Sequence, residues 1–301
     1  MNNNQKPIPQ LQTITATKLM QTNYPPLKFS IEKILPQGIF ILAGSAKIGK
    51  SWLSLDICNA VANGTDFWSY SVSLGEVLYL ALEDTHPRLK SRLQRIEEEN
   101  ETENLHFAIS AKGITNGLIE QIKAFIEAYP NTKLIVIDTL ERVRNSAQDK
   151  SMYSCDYRDI NKLREVVEGN TITLILVHHT RKMYDPDPLN TLSGSTGLVG
   201  AVDGVWVLEK ENRTEGKGKL TIANRDTEGF CFNVEFEKEH CKWKFLGIND
   251  GREKDETDDQ FCQLINDFLG VQFMGTASEL VNRLSKIDHS VNITPRSITR
   301  S

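Results

Sequence analysis

Apolar residues along the chain form four short runs, at 39–43, 77–82, 134–137 and 173–177. The runs show no alternation with polar residues, which is typical of strands that are covered on both faces of a sheet. The segments between them carry apolar residues at helical spacing. These helical positions are Leu118, Ile122, Phe125 and Ile126, and then Ile160, Leu163, Val166 and Val167. Strands that alternate with helices predict a mainly parallel α/β sheet with right-handed crossovers.

The pattern changes after the apolar run 205–208. Shorter runs at 219–223, 230–236 and 243–246 are separated by turn residues and predict an antiparallel extension of the sheet. We therefore expect four parts in the chain. They are an N-terminal arm at 1–26, an α/β domain at 27–250, a charged linker without apolar residues at 251–259, and a helical tail at 260–301. Within the arm, Leu19 and Met20 are candidates to pack on the domain.

Composition and charge narrow the class of protein. The chain has 301 residues, 39% hydrophobic and 25% charged, which is ordinary for a globular protein. Its net charge of −5 gives no general basic field for coating nucleic acid. The five cysteines are scattered without a CxxC pair, and no apolar run reaches the roughly 18 residues of a membrane helix. The N-terminus carries no apolar secretory signal, so we expect a cytoplasmic protein that does not enter a membrane.

The segment GSAKIGKS at 44–51 fits the phosphate-loop pattern G-x-x-x-x-G-K-[ST] at every position. It lies between a predicted buried strand and a predicted helix over 51–61, which is the context that this motif requires. Backbone N–H groups and the helix N-terminus would hold phosphates, Lys50 would reach the β- and γ-phosphates, and Ser51 would bind Mg²⁺. We assign ATP binding to Gly44, Ser45, Ala46, Lys47, Ile48, Gly49, Lys50, Ser51 and Trp52.

Two carboxylates follow predicted strands at the edge where ligands bind in such sheets. Asp138 is interpreted as the residue that holds Mg²⁺ through water, with a helix N-cap as the alternative. Glu83 is interpreted as the base that orients and deprotonates the attacking water. Asp84 would then cap the following helix, predicted over 85–99. The alternative for Glu83 is a solvated side chain without a catalytic role.

Two adjacent histidines, His178 and His179, follow the fourth strand. Neighbours on a strand point to opposite faces, so they seldom share one metal ion. We interpret one of them as a contact to the γ-phosphate; the alternative is one buried and one exposed histidine. The polar loop that follows, from Thr180 to Gly197, either grips a ligand or is a solvated loop.

With these residues in this order, the chain resembles the RepA-like plasmid and phage replication ATPases, which are RecA-fold relatives of the hexameric replicative helicases. The similarity covers residues 27–246 and is most specific in LALEDTHPRL, LIVIDTL, LVHHTRK and GSTGLVGAVDGVWVL. It implies a RecA-like fold, ATP hydrolysis between the subunits of a ring, and single-stranded DNA as a partner. It also implies that Lys50, Ser51, Glu83 and Asp138 are active-site residues and that His179 senses the γ-phosphate.

The resemblance further implies a trans-acting arginine late in the domain, and Arg225 occupies the matching place. Relatives often carry a lysine two residues earlier, where this chain has Ala223. The alternative for Arg225 is an ion pair with Asp226 or Glu228 on a surface turn.

The tail carries two amphipathic stretches, followed by Thr294 and Pro295, which are typical of a helix start. This order resembles the first part of a winged helix-turn-helix, in which Arg296 and Arg300 would face DNA. The alternative is a helical tail that packs on the domain or on a neighbouring subunit.

The leading hypothesis is a ring-forming, hexameric, ATP-driven helicase-type motor that acts on single-stranded DNA of a mobile element, with other replication proteins as possible partners. One alternative is an ATP-switched loader or scaffold that hydrolyses ATP without separating a forked duplex. A third hypothesis is a KaiC-like signalling ATPase, for which DNA would not stimulate hydrolysis.

Overall fold

The structure is a computed structural model that describes residues 11–97, 102–144, 152–181, 185, 187–192, 196–210 and 216–249. The chain divides into two compact units, Met1–Ile248 and Asn249–Ser301. The fold described below belongs to the first unit. The linker predicted at 251–259 and the helical tail predicted at 260–301, including its winged-helix interpretation, lie outside the described residues.

The elements follow one another in a largely alternating order. The helices are α1 Ala16–Gln21, α2 Lys50–Asn63, α3 His86–Ile96, α4 Leu118–Ala128, α5 Leu140–Val143, α6 Met152–Val167 and α7 Thr196–Ala201. The strands are β1 Phe29–Ile31, β2 Leu35–Pro36, β3 Gly38–Gly44, β4 Glu76–Ala81, β5 Leu105–Ala108, β6 Thr132–Asp138, β7 Thr173–His179, β8 Gly204–Lys210, β9 Lys217–Asn224, β10 Phe230–Glu237 and β11 Lys242–Ile248.

In the described part of the chain, nine strands form one sheet in the order β11-β10-β9-β8-β3-β7-β6-β4-β5. The six strands from β8 to β5 are mutually parallel, and β9, β10 and β11 continue the sheet in antiparallel pairs. The predicted parallel α/β sheet with an antiparallel extension is therefore confirmed. Strand β5 was not predicted, because its four half-buried residues at the sheet edge do not form a continuous apolar run.

The parallel strands are buried on both faces because helices cover each side of the sheet. On β3, Phe40 and Leu42 belong to the core that includes the apolar residues of α2. Ile39 and Ile41 belong to a second core on the other face, built with α4 and α6. This double coverage leaves the ends of the strands as the places where polar side chains reach solvent or a ligand.

Two local expectations are wrong. Leu19 and Met20 do not pack on the domain: they are 47% and 85% exposed, and α1 has no buried residue. The helix expected over 85–99 runs from His86 to Ile96 with Thr85 at its N-cap position, so Asp84 is not the cap. Among the described residues, none of the helices has the length and apolar character to cross a membrane.

Candidate nucleotide-binding site

The phosphate loop connects the end of β3 at Gly44 to the start of α2 at Lys50. Gly49 occupies the N-cap position of α2 with a φ of 112°, a conformation that favours glycine. A Cβ at Gly44 would lie 2.7 Å from the carbonyl oxygen of Leu208, so this position also requires glycine. The two glycines of the motif are thus fixed by backbone geometry and by close packing. The resulting turn presents backbone N–H groups at a helix N-terminus, where phosphates bind well.

The ammonium group of Lys50 is folded onto its own loop. Its Nζ donates hydrogen bonds to the carbonyl oxygens of Gly44 at 2.8 Å and Ser45 at 3.0 Å. The Nδ1 atom of His179 lies 3.3 Å from the same Nζ. Burial lowers the pKa of Lys50 to about 8, while the negative charges of Asp138 and Glu83 act in the opposite direction. A phosphate group that took the place of the carbonyls would therefore meet a buried cation with few competing partners.

Asp138 ends β6 as predicted from the apolar run before it, and its side chain lies beside Ser51. The hydroxyl of Ser51 hydrogen-bonds to the Asp138 carboxylate, and the hydroxyl of Tyr79 donates to its Oδ2 at 2.8 Å. Burial raises the pKa of Asp138, and these two hydrogen bonds oppose the rise. The structure thus brings together the two residues that the sequence assigned to Mg²⁺. Tyr79 orients the carboxylate from the neighbouring strand β4.

The chemistry of this pair fits Mg²⁺. Among the described residues, no group of three or more His, Cys, Asp or Glu is arranged to hold a metal ion. Magnesium in phosphate-transfer sites takes few protein ligands and fills its shell with phosphate oxygens and water. One hydroxyl from Ser51 and one carboxylate from Asp138 match that requirement.

Glu83 lies two residues beyond β4, at the same edge of the sheet. Its side chain is 51% exposed, and its Oε1 lies 3.4 Å from the Nε of Arg142, which follows Asp138 by four residues. The carboxylate is close enough to the site to act electrostatically on both Lys50 and Asp138. Glu83 is therefore placed at the mouth of the site, where it is accessible to water.

Asp84 has a different role from the helix cap that was expected. Its carboxylate pairs with Arg92 at 2.5 Å and with Arg88 at 3.4 Å, and both arginines lie on α3. The guanidinium of Arg92 in turn lies 5.2 Å from the ring centroid of Trp52, the residue after Ser51. The Glu83–Asp84 segment is thus connected through Arg92 to the helix that carries the phosphate loop.

The two histidines at the end of β7 lie in different environments. His178 is buried, with 4% of its surface exposed, whereas His179 is half-buried and contacts Lys50. This difference follows from the alternation of side chains along the strand. His179, and not His178, is the histidine at the phosphate loop. The nearby loop after Thr180 is only partly described, and Gly194 lies outside the described residues.

Arg225 lies at the opposite edge of the sheet. It follows β9, whose last residue Asn224 pairs with Gly204 at the start of β8. Its Nη1 lies 3.5 Å from Oδ1 of Asp203, so its ion-pair partner differs from the expected Asp226 or Glu228. Strand β3 spans seven residues between the two edges. At about 3.3 Å per residue, Arg225 is roughly 20 Å from the phosphate loop of its own chain.

Comparison with known proteins agrees with this geometry. Residues 5–185 match the family described as AAA domain. The chain belongs to that family. The matched part of this AAA domain protein contains Lys50, Glu83, Asp138 and His179 and ends before Arg225. A search of curated proteins finds no significant match.

Two solved structures resemble this AAA domain protein. One is a separately solved ATPase domain, which matches with a TM-score of 0.57 and 15% identity, over 70% of this chain and 85% of that domain. A DnaB-like replicative helicase, solved in a study of its interactions with primase, matches with a TM-score of 0.56 and 14% identity. That match covers 68% of this chain and 57% of the helicase chain. At such low identity the similarity shows a shared fold, and the expected RecA-like fold of replicative-helicase ATPases is confirmed.

Sequence reasoning missed three residues that contact the predicted site. Tyr79 holds Asp138, Arg142 contacts Glu83, and Trp243 donates from its Nε1 to the carbonyl oxygen of Gly49 at 3.2 Å. The positions of Tyr79 and Arg142 could have been suspected, because they share strand ends with Asp138 and Glu83. Nothing in the sequence indicates that residue 243 reaches residue 49.

The lowered pKa of Lys50 predicts a pH dependence of nucleotide binding. Phosphates bind the protonated amine, so above pH of about 8 the free protein must take up a proton to bind. We expect the affinity for MgADP to be steady near pH 7 and to fall above about pH 8, by up to about tenfold per pH unit. Isothermal titration calorimetry in buffers of different ionisation enthalpy measures both affinity and proton uptake.

The matched control is Lys50→Arg, whose guanidinium stays charged over this range. Its affinity should lack the inflection. An affinity of the parent protein that stays constant from pH 7 to pH 9, with no proton uptake, would contradict the assignment of Lys50.

Proposed function

We propose that this chain is an ATP-hydrolysing motor of the replicative-helicase type, which assembles into a ring, most simply a hexamer, and acts on single-stranded DNA of a mobile element. The observation that carries the proposal is the distribution of site residues over two edges of one sheet. Lys50, Ser51, Asp138, Glu83 and His179 meet at the carboxyl edge, whereas Arg225 lies at the other.

ATP binding follows from the phosphate loop. The β- and γ-phosphates would replace the carbonyls of Gly44 and Ser45 as partners of the Lys50 ammonium. Backbone N–H groups at the start of α2 would bind the same phosphates. Ser51 and Asp138 would hold Mg²⁺, which when bound neutralises charge on the phosphate oxygens. Trp52 and Arg92 lie next to the loop, where the rest of the nucleotide would extend.

Hydrolysis requires a base beyond the γ-phosphate. Glu83 is exposed at the mouth of the site and would orient a water molecule and accept its proton as the bond to phosphorus forms. Its contact with Arg142 keeps the carboxylate near the edge of the site. His179, beside Lys50, would contact the γ-phosphate and lose that contact on hydrolysis, and in this way it would sense the nucleotide state.

A complete site requires a second copy of the chain. Charge that develops on the γ-phosphate is commonly stabilised by an arginine supplied in cis or in trans. Arg225 is too distant to serve its own phosphate loop, but it lies exposed at an edge that another subunit can approach. Head-to-tail contacts of this kind close into rings, because each copy presents one surface and receives the other.

The DNA part of the proposal is supported by the similarity in fold to the DnaB-like helicase and by the resemblance to RepA-like ATPases. The loops after β6 and β7 leave the same edge of the sheet as the nucleotide site. Their residues 145–151 and 182–184 lie outside the described residues. A ring with this order of elements would place repeated copies of these loops together, which suits a strand that passes from one subunit to the next.

The substitution Glu83→Gln tests the assigned base. The amide keeps the size and hydrogen bonding of the side chain but cannot accept the proton. We expect MgATP affinity within about twofold of the parent and a kcat lowered by about 100- to 10,000-fold. Steady-state phosphate release and equilibrium nucleotide binding measure the two quantities separately.

Glu127→Gln is a suitable control, because Glu127 is an exposed glutamate on α4 and has no contact with the site. It should hydrolyse ATP at the parent rate. If Glu83→Gln also hydrolyses ATP at the parent rate, Glu83 is not the base.

Mixing two inactive variants tests the role of Arg225 in trans. Arg225→Ala keeps an intact phosphate loop, and Lys50→Ala keeps an intact arginine, so each should be inactive alone. Random assembly of equal amounts should place an intact loop next to an intact arginine at about one quarter of the interfaces. ATP hydrolysis should then recover to about that fraction of the parent rate.

The matched control is the double variant Lys50→Ala/Arg225→Ala, which cannot supply an arginine to the intact loop of Arg225→Ala. That mixture should stay inactive. Failure of the first mixture to recover activity, although both variants enter the same assembly, would rule out the trans arginine.

A further inference from the structure

The phosphate loop is contacted by a residue from the far end of the domain. Trp243, on β11, is 1% exposed, and its Nε1 donates to the carbonyl oxygen of Gly49 at 3.2 Å. A Cβ at Gly49 would lie 3.0 Å from the same Nε1. The indole therefore packs directly against the last glycine of the loop, 194 residues earlier in the chain.

The indole itself is held by several neighbours. The Nε1 of Trp68 donates to the backbone carbonyl of Trp243 at 2.6 Å. The ring of Phe236 meets the indole edge to face at 5.3 Å, and the Nζ of Lys210 lies 5.1 Å from its centroid. Such contacts restrict the rotation of a large side chain. Trp243 is thus a rigid donor, with its N–H group directed at the loop.

The bonded carbonyl belongs to a peptide unit that is central to phosphate binding. The C=O of Gly49 and the N–H of Lys50 lie in one plane and point in opposite directions in a trans peptide. Among the described peptide bonds, the cis bond is that between Asp138 and Thr139, so the bond after Gly49 is trans. Fixing the carbonyl of Gly49 therefore also fixes the direction of the Lys50 N–H, the first N–H of α2.

The contact also changes the electrostatics of the loop. The Gly49 carbonyl already accepts the bond of α2 from the Leu53 N–H at 3.1 Å, so the indole is a second donor to the same oxygen. Two donors partly compensate the negative charge of an oxygen next to a phosphate site. Hydrogen bonds that accept at the C=O also polarise the peptide and strengthen its N–H as a donor.

We propose that Trp243 is a positioning residue for nucleotide binding, which holds the Gly49–Lys50 peptide so that its N–H points at the bound phosphates. Trp243 acts through the loop and does not touch the nucleotide. The inference rests on the proposed nucleotide binding, but not on ring formation or on DNA. It gives the antiparallel extension of the sheet a role in the site: β11 supports the phosphate loop from behind.

The test is Trp243→Phe, which keeps an aromatic ring and removes the N–H donor. The matched control is Trp206→Phe on β8. Trp206 is 2% exposed, and its indole nitrogen has no hydrogen-bond partner among the described residues. Both variants lose similar buried volume. We expect the Kd for MgADP to rise roughly three- to tenfold in Trp243→Phe, the effect of one hydrogen bond, and to stay within about twofold in Trp206→Phe.

Affinity is measured by calorimetry at a temperature where thermal unfolding shows all proteins to be folded. A residue with only a structural role would lower the unfolding temperature without a selective change in Kd. Equal MgADP affinities in Trp243→Phe and the parent would overturn the inference while leaving nucleotide binding intact. Absence of MgADP binding by the parent would instead overturn the proposed function.

A spectroscopic measurement on the parent sequence covers the case in which Trp243→Phe does not fold. The chain has four tryptophans, so labelling with 5-fluorotryptophan gives four ¹⁹F signals. Substituting the other three, one at a time, assigns the Trp243 signal by elimination. MgADP should shift the Trp243 signal and leave that of Trp206 in place. A Trp243 signal that does not respond to saturating MgADP would overturn the inference.

Discussion

The buried ammonium group of Lys50 is the feature on which the arrangement of the site depends. A cation removed from water is stable only where oxygen atoms and opposite charges surround it. Here the carbonyls of Gly44 and Ser45 hold it, and the carboxylates of Asp138 and Glu83 act on it from the neighbouring strand ends. A polyphosphate would satisfy the same cation more strongly, since it brings charge as well as oxygen atoms. The fold thus maintains a site that favours an anion.

The two edges of the sheet carry different parts of the proposed reaction. At the carboxyl edge, the loop of β3, the end of β6 and the end of β7 converge because the parallel strands are adjacent in the sheet. At the opposite edge, Asp203 accepts from Arg164 and from Arg225 and also from the backbone N–H of Ile39. Asp203 therefore fixes the position of Arg225 relative to the start of β3. A neighbouring chain would receive an arginine whose base is already ordered.

Much of the fold and part of the site could be predicted from local sequence. The apolar runs identified the strands β3, β4, β6 and β7, because a strand covered on both faces must be apolar throughout. The residues that follow those runs, such as Asp138 and His179, could be placed for the same reason. Strand β5 lacks such a run, and the partners Tyr79, Arg142 and Trp243 depend on contacts between distant parts of the chain. Their roles became visible only once the sheet order was known.

The central claim is that one chain does not contain a complete ATPase site. The most direct measurement is the rate of ATP hydrolysis per chain as a function of protein concentration, with and without single-stranded DNA. The account predicts that the rate per chain rises with concentration and reaches a plateau as subunits assemble. Single-stranded DNA should move this rise to lower concentration, because a strand that binds several copies favours their assembly. A rate per chain that stays constant over the whole range, with DNA as without it, would contradict the account.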